Sequence, residues 1–238
     1  MAVLPTIELL QQHTLPTLVQ REIERRILAG ELAPGAKLIE ADIAAQLRVS
    51  RGPVREAFRA LGQAGLVRTE KNRGVFVRQV SLEEANEIYD VRTVLEGLVG
   101  RLAARRIRPE QKDRIRVVVK KMHALARQVD QPGDAEAYYP LNVEFHDLLL
   151  EAAGNRALAA NYRRIVNELD LYRRATISRS AENIAISTRE HEAIVNAVAR
   201  HDEKLAERLL IEHVVASRER LLAALGVSFL NDNRGESG

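Results

Sequence analysis

Apolar residues recur along almost the whole chain at intervals of three and four, the period of helices that bury one face. From Thr17 onward, Val19, Ile23 and Ile27 fall one turn apart and Gly30 closes the run, so a first helix is expected there. "LAPGAKL" turns the chain through Pro34 and Gly35, and a second short helix is expected over about Glu40 to Leu47, burying Ile43 and Leu47. A turn through Arg48 and Val49 leads to Ser50, whose hydroxyl is placed to cap a third helix. Pro53 is tolerated in the first turn, where amides have no partner within the helix. In that helix Val54, Ala57, Phe58 and Leu61 share the inward face, and Arg51, Arg55, Glu56 and Arg59 the outward one. The period changes only after "LGQAG". "LVRTE" and "VFVRQV" alternate as strands do, and Lys71, Asn72, Arg73 and Gly74 join them in a polar turn with a glycine available for positive φ, so a hairpin is expected.

Ser81 and Glu84 form an S-x-x-E capping box, which predicts a long helix and a domain boundary where the hairpin ends. Beyond it no alternation returns. Breaks at "RPEQ", "QPGD", "AGN", "SRSAEN" and "RHDE" delimit six helices near 82–106, 110–129, 135–153, 156–178, 186–200 and 203–225. Pro140 is expected to kink the third of these or displace its start. The expected fold is mostly α: a winged helix-turn-helix over residues 1–80, an all-helical antiparallel bundle over 81–228, and a disordered tail over 229–238. A chain of 238 residues is long enough for two domains, each with its own core.

Composition narrows the chemistry. The absence of cysteine excludes a disulfide framework, thiolate metal sites and thiol catalysis. No stretch approaches the ~20 apolar residues of a membrane span, and "MAVLPTIELLQQH" has neither the basic nor the apolar region of a signal peptide, so a cytoplasmic protein with no membrane partner is expected. Residues 1–80 hold 12 Lys and Arg against 8 Asp and Glu, whereas the remainder holds 24 against 25, so the basic excess sits in the first third. A solvated helix face would account for the arginines alone. It does not account for the turn, the hairpin and the basic tip that accompany them. A helix with Arg51, Arg55 and Arg59 outward can enter the major groove of double-stranded DNA, where Arg forks onto guanine O6 and N7, while Lys71 at the hairpin tip reaches phosphate.

The stretch "LIEADIAAQLRVSRGPVREAFRALGQAGLVRTEKNRGVFVRQVS" resembles the DNA-binding domain of the GntR family of bacterial transcription regulators, with its V-S-R-x-P-V-R-E-A core. The resemblance implies that Arg51 and Arg55 read bases, that Ser50 contacts phosphate, and that Arg73 with Gly74 forms the wing tip. Phe58 stands where the family usually has leucine, at a core position.

Three of the six histidines, His146, His191 and His213, sit on expected helices among apolar neighbours, and Asn142 lies one turn before His146 on the same face. Each taken alone also reads as a core histidine with satisfied nitrogens. Brought together on facing helices, three neutral imidazoles suit a divalent ion such as Zn or Ni. His13, His123 and His201 lack such a setting and are expected at the surface. "DVRTVLEGLVGRLAA", "FHDLLLEAAGN" and "REHEAIVNAVARHD" are similar to the motifs of the FCD domain, which defines the FadR-type branch of that family, here in its six-helix, VanR-like group. In metal-binding members three histidines and an acidic residue one turn before the first hold the ion. By that resemblance His146, His191 and His213 are ligands, and Asn142 puts a neutral carbonyl where the acid belongs, which should weaken the site. Arg92 matches the arginine that faces the ligand cavity and pairs with a carboxylate. From the sequence alone it is equally a surface ion pair with Asp90 or Glu96. Asn155 in "AAGN" is expected to cap the helix after Gly154.

Together these features predict a ligand-responsive, DNA-binding transcriptional regulator, a repressor that binds a palindromic operator as a homodimer and answers to a small organic acid or phosphonate. "PTIELLQQHTLPTLVQREIERRIL" and the uninterrupted "DVRTVLEGLVGRLAA" resemble regulators associated with phosphonate use. A metal-dependent hydrolase built on the helical domain is the competing class. "REHEA" is not H-E-x-x-H, however, and no local nucleophile and base pair appears. A helical interaction module with an incidental winged helix leaves the outward arginines unexplained.

Overall fold

A computed structural model describes residues 14–127, 134–176 and 181–225 of the chain. The tail expected over 229–238, and His13, lie outside these residues. The chain divides into two compact units, residues 1–85 with 163–175, and residues 86–162 with 176–238.

The first unit begins with α1 (Leu15–Leu28), β1 (Lys37–Leu38), α2 (Glu40–Leu47), α3 (Arg51–Gln63), β2 (Val67–Glu70) and β3 (Gly74–Val77). Val19, Ile23 and Ile27 are buried on α1, and Val54, Ala57, Phe58 and Leu61 on α3, as their spacing required. They close with Leu38, Ile43, Leu66 and Val77 into one core. On α2 the buried pair is Ile43 and Ala44 rather than Ile43 and Leu47. Leu47 is the last residue of the helix and only partly covered, because Arg48 turns the chain away in the left-handed conformation, φ 55°. Ser50 occupies the N-cap position of α3 with extended backbone, yet its side chain makes no capping hydrogen bond. A serine cap binds the second or third amide of the helix, and here the third residue is Pro53, which has none.

The hairpin forms as expected, with Asn72 at φ 61° and Gly74 at φ 109° carrying the reversal. An unexpected third strand, β1, pairs with β3, giving an antiparallel sheet of order β1-β3-β2. Two residues are too few to show alternation in the sequence. The register sets Lys37 and Arg68 opposite Phe76 from its two sides.

The second unit is built from α4 (Leu82–Arg106), α5 (Pro109–Ala126), α6 (Asp134–Ala153), α7 (Arg156–Thr176), α8 (Ala181–Ala199) and α9 (Glu203–Ala224), residues 163–175 of α7 and the first turn of α4 belonging to the first. No strand follows β3 among the described residues. The capping box at α4 is half formed: Ser81 Oγ accepts from Glu84 N at 3.1 Å, while the Glu84 carboxylate goes to Arg78. Pro140 lies inside α6 and does not displace its start. It sits on the exposed side, where water can satisfy the carbonyl it leaves unpaired. Asn155 Oδ1 accepts from Leu158 N at 3.1 Å and caps α7 as expected. α8 begins at Ala181, earlier than the expected 186.

Val99, Leu102, Ile115, Met122, Phe145, Leu149, Ile194, Leu210 and Val214 fill the bundle core. α4 and α9 approach closely because α4 presents two glycines. A Cβ on Gly100 would stand 2.6 Å from the Ala206 carbonyl oxygen, whereas one on Gly97 would meet side chains alone, Ile211 at 2.9 Å and Glu207 at 3.6 Å. Gly100→Ala is therefore expected to destabilise the protein by about 1–3 kcal/mol through forced separation of the helices. In Gly97→Ala the gain in helix propensity of ~1 kcal/mol offsets most of the strain. Chemical denaturation of the two variants checks this, and equal loss would show that the carbonyl contact does not set the helix distance.

Candidate functional site

The outward face of α3 is a row of cations. Arg51, Arg55 and Arg59 are all exposed, as is Ser50, whose hydroxyl is free of the capping role. Arg55 forks onto Glu40 at the start of α2, with Nε to Oε1 at 3.1 Å and Nη2 to Oε2 at 2.9 Å. The hydrogen bond from Arg55, aided by the charges of Arg51 and Arg59, holds the Glu40 carboxyl below its usual range. Glu40 thus pre-orients the central arginine in the same bidentate geometry that guanine would offer it. At the wing Lys71, Arg73 and Gly74 are exposed, and Arg73 pairs with Glu70. Lys37, Arg68 and Arg73 stand 5.9, 6.0 and 5.7 Å from the centroid of the Phe76 ring, which gathers three cations onto one side of the sheet. The sequence does not single out Lys37, Arg68 and Phe76, since the hairpin register sets Arg68 opposite Phe76 and the unexpected strand β1 adds Lys37.

Inside the second unit α6, α8 and α9 bring His146, His191 and His213 together, with one ring nitrogen from each within 4.8 Å of the others. All three are buried. His191 Nε2 and His213 Nε2 face each other at 3.3 Å. Two imidazole nitrogens bound to one tetrahedral Zn at ~2.1 Å would lie about 3.4 Å apart, so this pair already has a metal-compatible separation. Without an ion, a proton on His191 Nε2 would serve the same gap.

Each ring is held from behind. His213 Nδ1 lies 2.6 Å from Glu190 Oε2, and Arg220 forks onto the same carboxylate at 2.8 and 2.9 Å. His191 Nδ1 lies 3.3 Å from the Tyr138 hydroxyl, which also accepts from Thr188 Oγ1 at 3.3 Å. His146 Nδ1 lies 3.1 Å from Glu96 Oε1. Neither nitrogen of His146 makes an aligned hydrogen bond, however, and Glu96 Oε2 is buried with no partner. Glu96 Oε1 accepts instead from Tyr162 Oη at 2.6 Å and from Arg92 Nη2 at 3.1 Å. Burial pushes His191 well below its usual range, reinforced by His213 and His146, and burial pushes His213 down to about 4 against the pull of Glu190. Burial opposes the charge on Glu96, but His146, Arg92 and Tyr162 hold its carboxyl well below the usual range. Two imidazoles held neutral, and a third whose buried nitrogens have no aligned partner, are what a divalent cation requires, so these residues fit one.

Residues 17–77 match the bacterial regulatory proteins of the gntR family, and residues 87–216 match the FCD domain. The chain belongs to the GntR family. Among its relatives the "Probable D-xylose utilization operon transcriptional repressor" of Paenarthrobacter nicotinovorans is 32% identical over 213 residues, covering 89% of this chain and 90% of the relative. The HTH-type transcriptional repressor RspR of Escherichia coli K12 is 26% identical over 82% of this chain and 84% of its own. A GntR transcriptional regulator from Rhodococcus sp. RHA1 superposes with a TM-score of 0.69 at 26% identity, covering 88% of this chain and 98% of that one. E. coli McbR/YncC shares the fold, with a TM-score of 0.74 at 19% identity and coverage of 89% and 98%. This GntR protein is therefore a DNA-binding transcriptional regulator with a helical FCD domain, and the hydrolase alternative falls with the family and its relatives, which are regulators. No helix among the described residues is long and apolar enough to cross a membrane.

Arg92 pairs with Glu96, one of the two partners the sequence offered, but the pair is buried rather than at the surface. Asp90 goes to Arg218 at 2.7 Å. Asn142 is half-buried one turn before His146. His123 meets Glu192 at 3.2 Å, half-buried, and His201 is exposed. The sequence missed Glu190, Arg220, Tyr138 and Tyr162. Glu190 adjoins His191 in the chain but serves His213 on another helix, so no local spacing reveals it. Breaking the Arg92–Glu96 pair leaves a charge stranded in the core. Arg92→Ala in this GntR protein is expected to cost about 3–5 kcal/mol in chemical denaturation, and a loss within about 0.5 kcal/mol would show that the pair is not desolvated.

Proposed function

We propose that this regulator is a repressor that binds a palindromic operator as a homodimer and is released by a small anionic effector, a carboxylate or phosphonate, taken up beside a divalent ion. The observation that carries the effector reading is the juxtaposition of three buried imidazoles with the Arg92–Glu96 pair. His146, His191 and His213 would hold the ion, with Asn142 as a weak fourth ligand, and Zn or Ni suits such a nitrogen set. The ion would supply a Lewis-acid anchor for an anion. Arg92 would hold the other end of that anion, which must share or take over the place of Glu96 on the guanidinium. The effector can change operator affinity only by as much as it prefers one arrangement of the dimer over the other. Each chain carries one recognition helix, so a two-fold dimer presents two and reads a symmetric site. The repressing sense is supported by the relatives from Paenarthrobacter and E. coli, both named as repressors.

On the DNA side, Arg55→Ala should cost about 1–3 kcal/mol of operator binding and relax base preference at one symmetric pair of positions. Lys71→Ala should weaken all sequences alike and flatten the dependence on salt. Fluorescence anisotropy with operator and scrambled duplexes measures both. Unchanged affinity and specificity in Arg55→Ala would remove its base-reading role. On the sensor side, protein purified without an affinity tag or chelator should contain close to one equivalent of divalent metal, His191→Ala should contain almost none, and added Zn or Ni should raise the melting temperature only of the parent. Equally negligible metal in both, with no thermal shift, would leave the histidines as hydrogen-bonding residues and Arg92 as the sole anion clamp.

A further inference from the structure

Three features of the buried site are not explained by the three ligands alone. His213 carries a carboxylate at 2.6 Å on the nitrogen that faces away from His191. His146 carries a second carboxylate, Glu96, at 3.1 Å on Nδ1, which leaves Nε2 as the nitrogen available to the cluster. Both carboxylates are themselves pinned by arginines, Glu190 by the fork of Arg220 and Glu96 by Arg92 on the same oxygen that faces His146. A packing role does not call for two carboxylates, one fully buried and one partly so, directed at two members of one histidine trio. The position one turn before His146 meanwhile holds a neutral asparagine.

We infer that Glu96 and Glu190 are positioning residues for the ion: Glu190 accepts the Nδ1 proton of His213, and Glu96, 3.1 Å from Nδ1 of His146, takes that proton as the ring turns Nε2 to the ion, so that Nε2 is the donor in both. By drawing on that proton each carboxylate makes its imidazole a stronger donor, which offsets part of what is lost when Asn142 replaces an acid. Glu96 does this from α4, with its second oxygen unpartnered and the Tyr162 hydroxyl at 2.6 Å fixing the first. Glu190 does it from α8, held by the fork of Arg220. His191, the third ligand, has a hydroxyl instead, that of Tyr138. The site therefore depends on two carboxylate-backed histidines and one hydroxyl-backed one.

This inference rests on the metal reading above, and the experiment separates the two. Zn binding to the metal-free full chain is measured by competition with a chromophoric chelator, and Co binding by its visible ligand-field bands, for the parent, His191→Ala, Glu190→Gln, Glu96→Gln and Asn142→Asp. The parent is expected to bind, His191→Ala to fail, and Asn142→Asp to tighten. Glu190→Gln and Glu96→Gln should each weaken Zn by about 10- to 100-fold and shift the Co bands. Glu190 is only partly buried and glutamine keeps its shape, so this variant should keep its metal-free melting temperature. If Glu96→Gln fails to fold because Arg92 loses its counter-ion, Glu190→Gln decides alone. Parent-like Zn affinity and Co bands in a folded Glu190→Gln would overturn the inference while leaving the metal site standing. Absence of Zn binding to the parent would overturn both.

Discussion

A carboxylate with no access to water sits in the middle of the helical unit, and the surrounding helices are placed by the need to satisfy it. Glu96 on α4 takes Arg92 from its own helix, Tyr162 from α7 and faces His146 on α6. A buried charge tolerates little error in the position of its partners, because losing one strands the others in a medium that does not screen them. Three helices are thereby fixed in rotation as well as in distance. Gly97 and Gly100 then let α9 close on α4, and α9 carries His213. The histidine cluster follows from that arrangement rather than from any tendency of histidines to associate. Three imidazoles in a dry core would otherwise each demand a separate hydrogen-bond partner.

The DNA-binding unit uses the opposite strategy and keeps its charges in water. Arg55 is held by Glu40 in the open, where an ion pair contributes little to stability and exchanges easily. That weakness is useful, because the guanidinium stays ordered at small entropic cost and remains available to a better acceptor. Pro53 removes the third amide of α3 as a capping donor, and the Ser50 hydroxyl at the head of the helix stays uncapped and exposed. On the wing, Phe76 lies between two strand neighbours that are both cationic, and the ring keeps their long side chains from dispersing.

What could be read from the sequence divides along the same line. The inward faces of α1 and α3, the outward arginines, the hairpin and five of the six helix starts of the bundle are periodic or capped features, local enough to show in a short window. β1 was invisible because two residues carry no period, and the placement of Leu47 depended on a left-handed Arg48 that sequence does not announce. The convergence of His146, His191 and His213 was legible only through resemblance to a family, since their separations do not fix the relative rotation of three helices. The carboxylates behind them were legible in neither way. Sequence proximity makes Glu96 a surface partner for Arg92, whereas its burial depends on Tyr162 and His146, which come from other helices. Glu190 serves a histidine on a helix other than its own.

Charge accounting at the buried site gives the proposed effector its sign. The ionisable groups that touch the histidines cancel in pairs, Arg92 with Glu96 and Arg220 with Glu190. The imidazoles are held neutral in the case of His191 and His213. A divalent ion placed among them would arrive with both of its charges uncompensated, and a neutral Asn142 does nothing to reduce them. In a low-dielectric core such an excess weakens the hold on the ion, and an accompanying anion restores it. On the proposed reading the ion and the anion therefore bind as a pair, each raising the affinity for the other, and by linkage the two increases are equal. An acid at position 142 would remove one unit of that excess from the start. On that reading the same change that tightens the metal would weaken the coupling between metal and effector, and asparagine at this position would exchange resident metal affinity for dependence on the anion.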